Sequence, residues 1–262
     1  MTPSRIIVAR FSPTGRTRRL MSMLAQGLAG TGIPVEELDL TDRWDREEPR
    51  VFSRDDLVFL GVPVYFGRAP RPMQSLAHWT ANGAAAVPVA AYGCRAHDDA
   101  LREMAGVLRA AGFVVPAGAA FPVEHSQFPE FGRGRPGEAD RFAAGDFARR
   151  VLEALQRGTA NLNPTFPGEG DLRPYPKNGF VPEPDAICRM CGRCADVCPM
   201  DIIDPFSMRV TDPSQCIGCR ACIDACPDGH RTFAQPVLSA LNQVRERIRP
   251  VCEAPKFPEF FF

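Results

Sequence analysis

The chain reads as an open, doubly wound α/β domain of five parallel strands followed by a small, cysteine-rich α+β module. Three observations predict this. Apolar runs of strand length alternate with amphipathic helical stretches over the first 158 residues. A proline-rich break at 159–182 then interrupts the periodicity. Beyond it, eight of the ten cysteines are packed between Cys188 and Cys226, whereas the first 187 residues hold only Cys94.

Each element has a local reason. Arg5 to Phe11 is an apolar run of strand length, and Arg16 to Gly30 is a helix with Leu20, Met23, Leu24, Gly27 and Leu28 on one stripe. Ile33 to Leu40 alternates as a half-buried strand. Asp56 to Gly61 is a short buried strand, and Pro70 to Thr80 reads as helix. Ala85 to Tyr92 is the fourth strand, His97 to Ala111 a helix, and Phe113 to Val123 the fifth strand. Glu138 to Arg157 closes the domain as a helix with Phe142, Phe147, Val151, Leu152 and Leu155 inward, stopped by Gly158. In such sheets a ligand binds outside the carboxyl ends of the strands. The loops after the first, third and fourth strands are therefore the ones to inspect.

The expected boundaries are a sheet domain at 1–158, a linker at 159–182, the cysteine module at 183–234 and a tail at 235–262. Prolines 164, 167, 174, 176, 182 and 184 make the connection semi-rigid. The tail reads as a helix from Pro236 to Arg249, with Leu238, Leu241, Val244 and Ile248 on one face. It ends in a phenylalanine-rich segment containing Phe257, Phe260, Phe261 and Phe262. Docking of that segment on its own chain ranks first, because exposed it would be sticky. Recruiting a partner or covering a ligand are the alternatives.

Composition excludes several classes. Thirty-one basic and 31 acidic residues give zero net charge, which argues against a nucleic-acid or anionic-membrane surface. The longest apolar run, Ala84 to Tyr92, is interrupted by Pro88 and is too short for a membrane span. Met1-Thr2-Pro3-Ser4 leads straight into a strand without a signal peptide, so a soluble, cytoplasmic protein is expected. Only Lys177 and Lys256 are lysines; the rest of the basic residues are arginines.

The cysteine module is an internal repeat: Cys188-x2-Cys191-x2-Cys194-x3-Cys198-Pro199, then Cys216-x2-Cys219-x2-Cys222-x3-Cys226-Pro227. Three thiolates at steps of three on a tight loop reach three irons of one cubane, and the fourth cysteine points to the other cluster. One [4Fe-4S] cluster is thus expected on Cys188, Cys191, Cys194 and Cys226. The second is expected on Cys216, Cys219, Cys222 and Cys198. Zinc would use two thiolate pairs and has no need of the third step or of the Cys-Pro partner. The segment resembles a bacterial-type two-cluster ferredoxin, with every ligand position matched; Ile202-Ile203 and Thr232-Phe233 look like its hairpin strands. The module's eight acids and five arginines leave −3, and oxidised clusters add about −4, so low potentials are expected.

Ser12-Pro13-Thr14-Gly15-Arg16-Thr17 joins the first strand to the first helix. Hydroxyls at 12, 14 and 17, with Gly15 allowing close approach, make an anion cradle at a helix N-terminus; the plain alternative is an N-capped helix start. The loop lacks a Walker lysine and the three-glycine dinucleotide fingerprint. It resembles the phosphate loop of flavodoxins, which binds the phosphate of FMN. Pro63-Val64-Tyr65-Phe66-Gly67 after the third strand and Tyr92-Gly93-Cys94-Arg95 after the fourth fall where flavodoxin-like proteins line the isoalloxazine. By that resemblance, Tyr65 or Phe66 covers a ring face, Gly67 lies at the N5 edge, and Tyr92, Gly93 and Arg95 border the pyrimidine side. Core packing is the alternative for the two aromatics. The fold expected by resemblance is a flavodoxin-like doubly wound five-stranded parallel sheet joined to a small ferredoxin domain, as in the flavodoxin–ferredoxin fusions of anaerobes. One departure stands out: Arg16, Arg68, Arg71 and Arg95 lie in or beside these loops where long-chain flavodoxins are acidic, so a less negative flavin potential is expected.

Cys94 is expected to fill a tight loop, and Cys252 to be a bystander. His97 and His125 lie at the functional end of the sheet, as helix-start or surface residues or as proton donors. Residues 124–137 are the candidate lid. Two functions stay open. One is an electron-transfer protein passing electrons between the clusters and FMN and on to a redox partner protein, donor or acceptor. The other is an FMN-dependent reductase of a small-molecule substrate fed by the clusters. A redox sensor signalling through the tail is a third reading, and a homodimer is left open.

Overall fold

The structure, a computed structural model, describes residues 2–176 and 181–262. Lys177 and the rest of 177–180, within the expected linker, lie outside the described residues.

Five parallel strands form the centre: β1 (Arg5–Arg10), β2 (Val35–Asp39), β3 (Asp56–Pro63), β4 (Ala85–Tyr92) and β5 (Gly118–Pro122), in the spatial order 2-1-3-4-5. That order is the flavodoxin-like variant of the doubly wound sheet. β3, β4 and β5 are buried along their whole length, as strands covered on both faces must be, whereas edge strand β2 is half exposed. A sixth strand, β8 (Glu259–Phe261), comes from the C-terminal tail and pairs antiparallel with β5. It adds to the expected five and places the phenylalanine-rich end on its own chain. Phe260 stacks on Phe147 at 5.0 Å between centroids, and Phe262 lies 5.6 Å from the same ring.

Helices α1 (Arg16–Gly27) and α4 (Glu138–Arg157) cover one face and approach backbone to backbone at Gly27 and Gly145. The other face is covered by a 3-10 helix (Arg71–His78), where a longer helix was expected, and by α3 (Ala100–Ala110). A short α2 (Arg43–Glu47), capped by Asp42 on the N–H of Trp44, was not anticipated. Gly158 ends α4 in the left-handed conformation, as expected, but Phe142 is exposed rather than inward.

The cysteine module contains β6 (Glu183–Pro184), α5 (Arg193–Asp196), α6 (Ala221–Asp224) and β7 (Arg231–Thr232). Both segments expected as hairpin strands are paired: Thr232 with Glu183, and Ile203 in a bridge to Val210. The repeat extends to the backbone. Met190 and Gly218, then Gly192 and Arg220, occupy equivalent positions and all have positive φ. Such reversals turn successive N–H groups inward into a concavity suited to anionic sulfur. Ile217, Cys219 and Ala221 join the apolar core on the α3 face of the sheet, so the second repeat is seated on the sheet domain. The tail helix α7 (Gln235–Glu253) packs Leu241, Val244 and Ile248 against Cys94, Phe128, Phe131 and Cys252. Among the described residues, no helix is long and apolar enough to cross a membrane.

Candidate functional site

The aligned carboxyl ends of β1, β3 and β4 bring the three inspected loops together. They open onto a cavity of about 550 Å3, lined by Val64, Tyr65, Phe66, Gly67, Gly93 and Arg95 from the second and third loops. Its volume falls in the roughly 300–1,000 Å3 range of sites for organic cofactors. A smaller pocket continues from it through Val64, Tyr65, Gly93, His125 and Ser126 to Thr14, Arg16, Thr17 and Pro63. The phosphate-type loop and the ring-type loops therefore share one continuous site. Gly15 has φ +80 at the start of α1, whose first turn carries no acidic residue. Ser12 Oγ accepts the N–H of Arg18 at 2.8 Å, so its hydroxyl also acts as the helix cap.

The fit to FMN rests on more than shape. Tyr65 is buried and its hydroxyl has no hydrogen-bond partner among the described residues, which leaves one polar group on the cavity wall for a ligand. Burial raises its pKa well above the usual phenol value, so it stays a neutral donor. Of the expected residues, Ser12, Gly15, Tyr92 and Cys94 line neither this cavity nor the smaller pocket. Tyr92 faces a separate open cavity of about 730 Å3, which shares Arg95, Ala96 and Arg173 with the first. Cys94 donates to Val123 O at 3.4 Å, has φ +61 and is buried beside Cys252, consistent with loop packing.

The four arginines expected in or beside these loops all have partners. Arg16 pairs with Glu124 at 2.6 Å and Asp224 at 3.7 Å. Arg68 is buried against Glu103, which also accepts from Gln74, Tyr175 and the N–H of Ala69. Arg71 donates to Ser214 O and Gln215 Oε1 of the cysteine module, and Arg95 pairs with Asp98. Of the four, Arg95 lines the larger cavity and Arg16 the smaller pocket. The cavity's other arginines, Arg173 and Arg247, were not singled out from the sequence.

His125 lines both pockets, its Nδ1 accepting the N–H of Gln127 at 3.1 Å. Burial pushes its pKa down to about 4, so it is neutral at pH 7 and is a poor proton donor. The lid segment contributes Ser126, Gln127 and Phe128. The tail contributes Leu241, Val244 and Ile248, three residues of the face read as amphipathic helix. Arg173 belongs to the linker, which is held down by Tyr175 on Ala69 O and Glu103, by Arg102 on Gly170 O and by Arg109 on Pro164 O.

The cysteine module meets this site directly. The Phe66 ring lies against Gly218, which stands between Ile217 and Cys219 and itself lines the cavity. Gln127 donates to Gly218 O at 3.2 Å, and Arg220 donates to the carbonyls of Ser126 and Gln127 at 3.1 and 3.0 Å. Within the module, Cys198, Cys216, Cys219 and Cys222 all line one small cavity, so the Cys-Pro thiol of the first repeat stands among those of the second. The N–H of Gly218 is directed at the Cys216 thiol and that of Ala221 at Cys219, as the concave backbone requires. Cys191 is exposed, and Arg189 beside it pairs with Asp228. Among the described residues, no three His, Cys, Asp or Glu side chains converge in the geometry of a single metal ion.

Comparison with known proteins supports the cysteine module as an iron-sulfur domain. Residues 187–230 match the 4Fe-4S dicluster domain family. Over 73 residues the chain is 37% identical to a probable iron-sulfur subunit of the Frd operon of Proteus vulgaris, a stretch covering 25% of this chain and 46% of that protein. The chain thus spans about half the length of this curated relative. Solved structures similar to the N-terminal part include a flavodoxin of Streptococcus pneumonia TIGR4, at 21% identity and TM-score 0.42, covering 57% of this chain and 98% of that one. An archaeal flavodoxin is similar at 15% identity and TM-score 0.41, covering 58% and 99%. The fold assignment rests on strand order and register rather than on these superpositions. A flavodoxin-like sheet domain is joined here to a 4Fe-4S dicluster domain, and the pairing supports a redox role.

Proposed function

We propose that this chain is an electron-transfer protein that passes electrons between two [4Fe-4S] clusters and FMN and on to a redox partner protein. Cys188, Cys191, Cys194 and Cys226 hold one cluster; Cys198, Cys216, Cys219 and Cys222 hold the other. Thr14, Arg16 and Thr17 hold the FMN phosphate, with Ser12 and Gly15 shaping the loop. Pro63 to Gly67, Gly93 and Arg95 surround the ring, with Tyr92 and Cys94 supporting them from behind. Clusters supply single electrons, and a flavin accepts one or two, so the pair converts between one- and two-electron carriers.

The observation that carries this reading is the shared wall. Gly218 of the second cysteine loop lines the same cavity as Tyr65, Phe66 and Gly93. The second cluster therefore lies on the flavin side, and the first, with Cys191 exposed, lies on the side open to a partner. Phe128, Leu241, Val244 and Ile248 make the cavity wall apolar, which restricts water around a bound ring.

The test uses the full chain, loaded anaerobically with clusters and FMN and reduced at the clusters by a flash-generated reductant. The expected result is flavin reduction accompanied by cluster reoxidation, at a rate independent of protein concentration. A rate proportional to concentration, or clusters that stay reduced beside an oxidised flavin, would refute the reading. A second reading, an FMN-dependent reductase of a small-molecule substrate, is favoured by the open 730 Å3 cavity that shares Arg95 and Arg173 with the ring cavity. Substrate-dependent flavin reoxidation without any partner protein would select it.

A further inference from the structure

Arg231 is 2% exposed in the middle of the cysteine module. Its Nη1 donates to Met208 O at 2.6 Å and reaches Cys194 Sγ at 3.6 Å; its Nη2 donates to Pro182 O at 2.9 Å. It also lines the small cavity shared by Cys198, Cys216, Cys219 and Cys222. Its Nε has no partner among the described residues, and none of its hydrogen-bond partners is a carboxylate. Of the two buried arginines of the sheet domain, Arg68 sits against Glu103, whereas Arg46 donates to backbone carbonyls, among them Pro199 O beside Cys198.

A buried guanidinium without a carboxylate is costly unless another anion offsets its charge. On the cluster assignment, the anions beside Arg231 are thiolates of both ligand sets: Cys194, 3.6 Å away, from one, and the four thiols of the shared cavity from the other. We propose that Arg231 is a buried cation shared by the two clusters, raising both reduction potentials together. Adding an electron makes a cluster more negative, and a fixed positive charge in a low-dielectric site favours the more negative state. One side chain standing beside both sets moves both potentials in the same direction. The exposed Arg189–Asp228 pair, screened by water and internally neutral, does not.

This inference rests on the cluster assignment proposed above, and the two fail separately: a wild-type chain that binds no iron refutes the assignment before any variant is compared. The experiment is an anaerobic redox titration of the full chain, wild type against Arg231→Gln and Arg231→Lys, with both clusters followed by electron paramagnetic resonance. The expected result is a fall in both cluster potentials in Arg231→Gln, with iron content unchanged, and recovery of most of the shift in Arg231→Lys. Arg189→Gln should leave both potentials in place. Unmoved potentials in Arg231→Gln, or a shift of one cluster only, would overturn the proposal. Should Arg231→Gln fail to retain clusters, the wild-type chain with 15N-labelled arginine decides. Hyperfine coupling from a guanidinium nitrogen to both reduced clusters, absent in Arg231→Lys, is the expected result, and its absence at either cluster in the wild type overturns the proposal.

Discussion

The Phe66 ring packs against Gly218 so closely that a Cβ on Gly218 would stand 3.1 Å from Cζ of the ring. Gly218 also has φ +67, a conformation that side chains disfavour. The contact joins the third-strand loop to the second cysteine loop. Gly218→Val should therefore destabilise the chain by roughly 1–3 kcal/mol, from backbone strain and the clash together. Urea unfolding of the full chain measures this, and an unchanged midpoint would mean that the two loops are not in contact.

Glu103 holds the linker to the sheet domain. It is 4% exposed and accepts from Arg68, Gln74, Tyr175 and the N–H of Ala69. Hydrogen bonding to Glu103 raises the pKa of Arg68, and burial raises that of Tyr175, so neither side chain changes its charge near neutrality. Glu103→Ala strands a buried guanidinium and should cost about 3–5 kcal/mol. Tyr175 then loses one of its two anchors, so limited proteolysis should cut the 159–176 segment faster than in the wild type.

His125 gives the chain a pH dependence. Its folded pKa of about 4 lies below the ordinary 6.5, because burial disfavours the charged form. Between those values the unfolded chain binds a proton that the folded chain does not, so stability falls as pH drops from 6.5 towards 4. The expected loss attributable to His125 is about 2 kcal/mol between pH 7 and pH 5. His125→Asn should remove that part of the slope, and an identical slope in wild type and variant would contradict it.

Much of this was legible in the sequence, and the parts that were not have identifiable causes. The parallel strands were readable because β3 and β4 are buried on both faces and hence continuously apolar. The iron-sulfur module was readable because its cysteine spacing repeats, down to left-handed backbone at 190 and 218. The sixth strand was not: Glu259–Phe261 is short, and its partner β5 lies more than a hundred residues away. The partners of these arginines were not legible because charge compensation is tertiary; Arg16 meets Glu124 only after folding across 108 residues. Arg173 and Arg247 escaped notice because the linker and tail showed nothing local to place them at the cavity.

The tail should matter for stability as well as for cavity shape. Phe260 pairs in β8 and stacks on Phe147, with Phe121 at 5.8 Å. Phe260→Ala should cost roughly 2–3 kcal/mol, somewhat less than a fully buried phenylalanine. It should also free α7 and weaken FMN binding, since Leu241, Val244 and Ile248 line the cavity. Fluorescence titration with FMN measures the second effect, and unaltered affinity would assign the tail a purely structural role.

The most direct test of the account is the cofactor content of the full chain purified without oxygen, from its visible spectrum with iron, sulfide and flavin quantitation. Two four-iron clusters beside one flavin predict about eight irons and one FMN per chain. Stoichiometric zinc in place of iron, or a chain that binds no flavin, would contradict it.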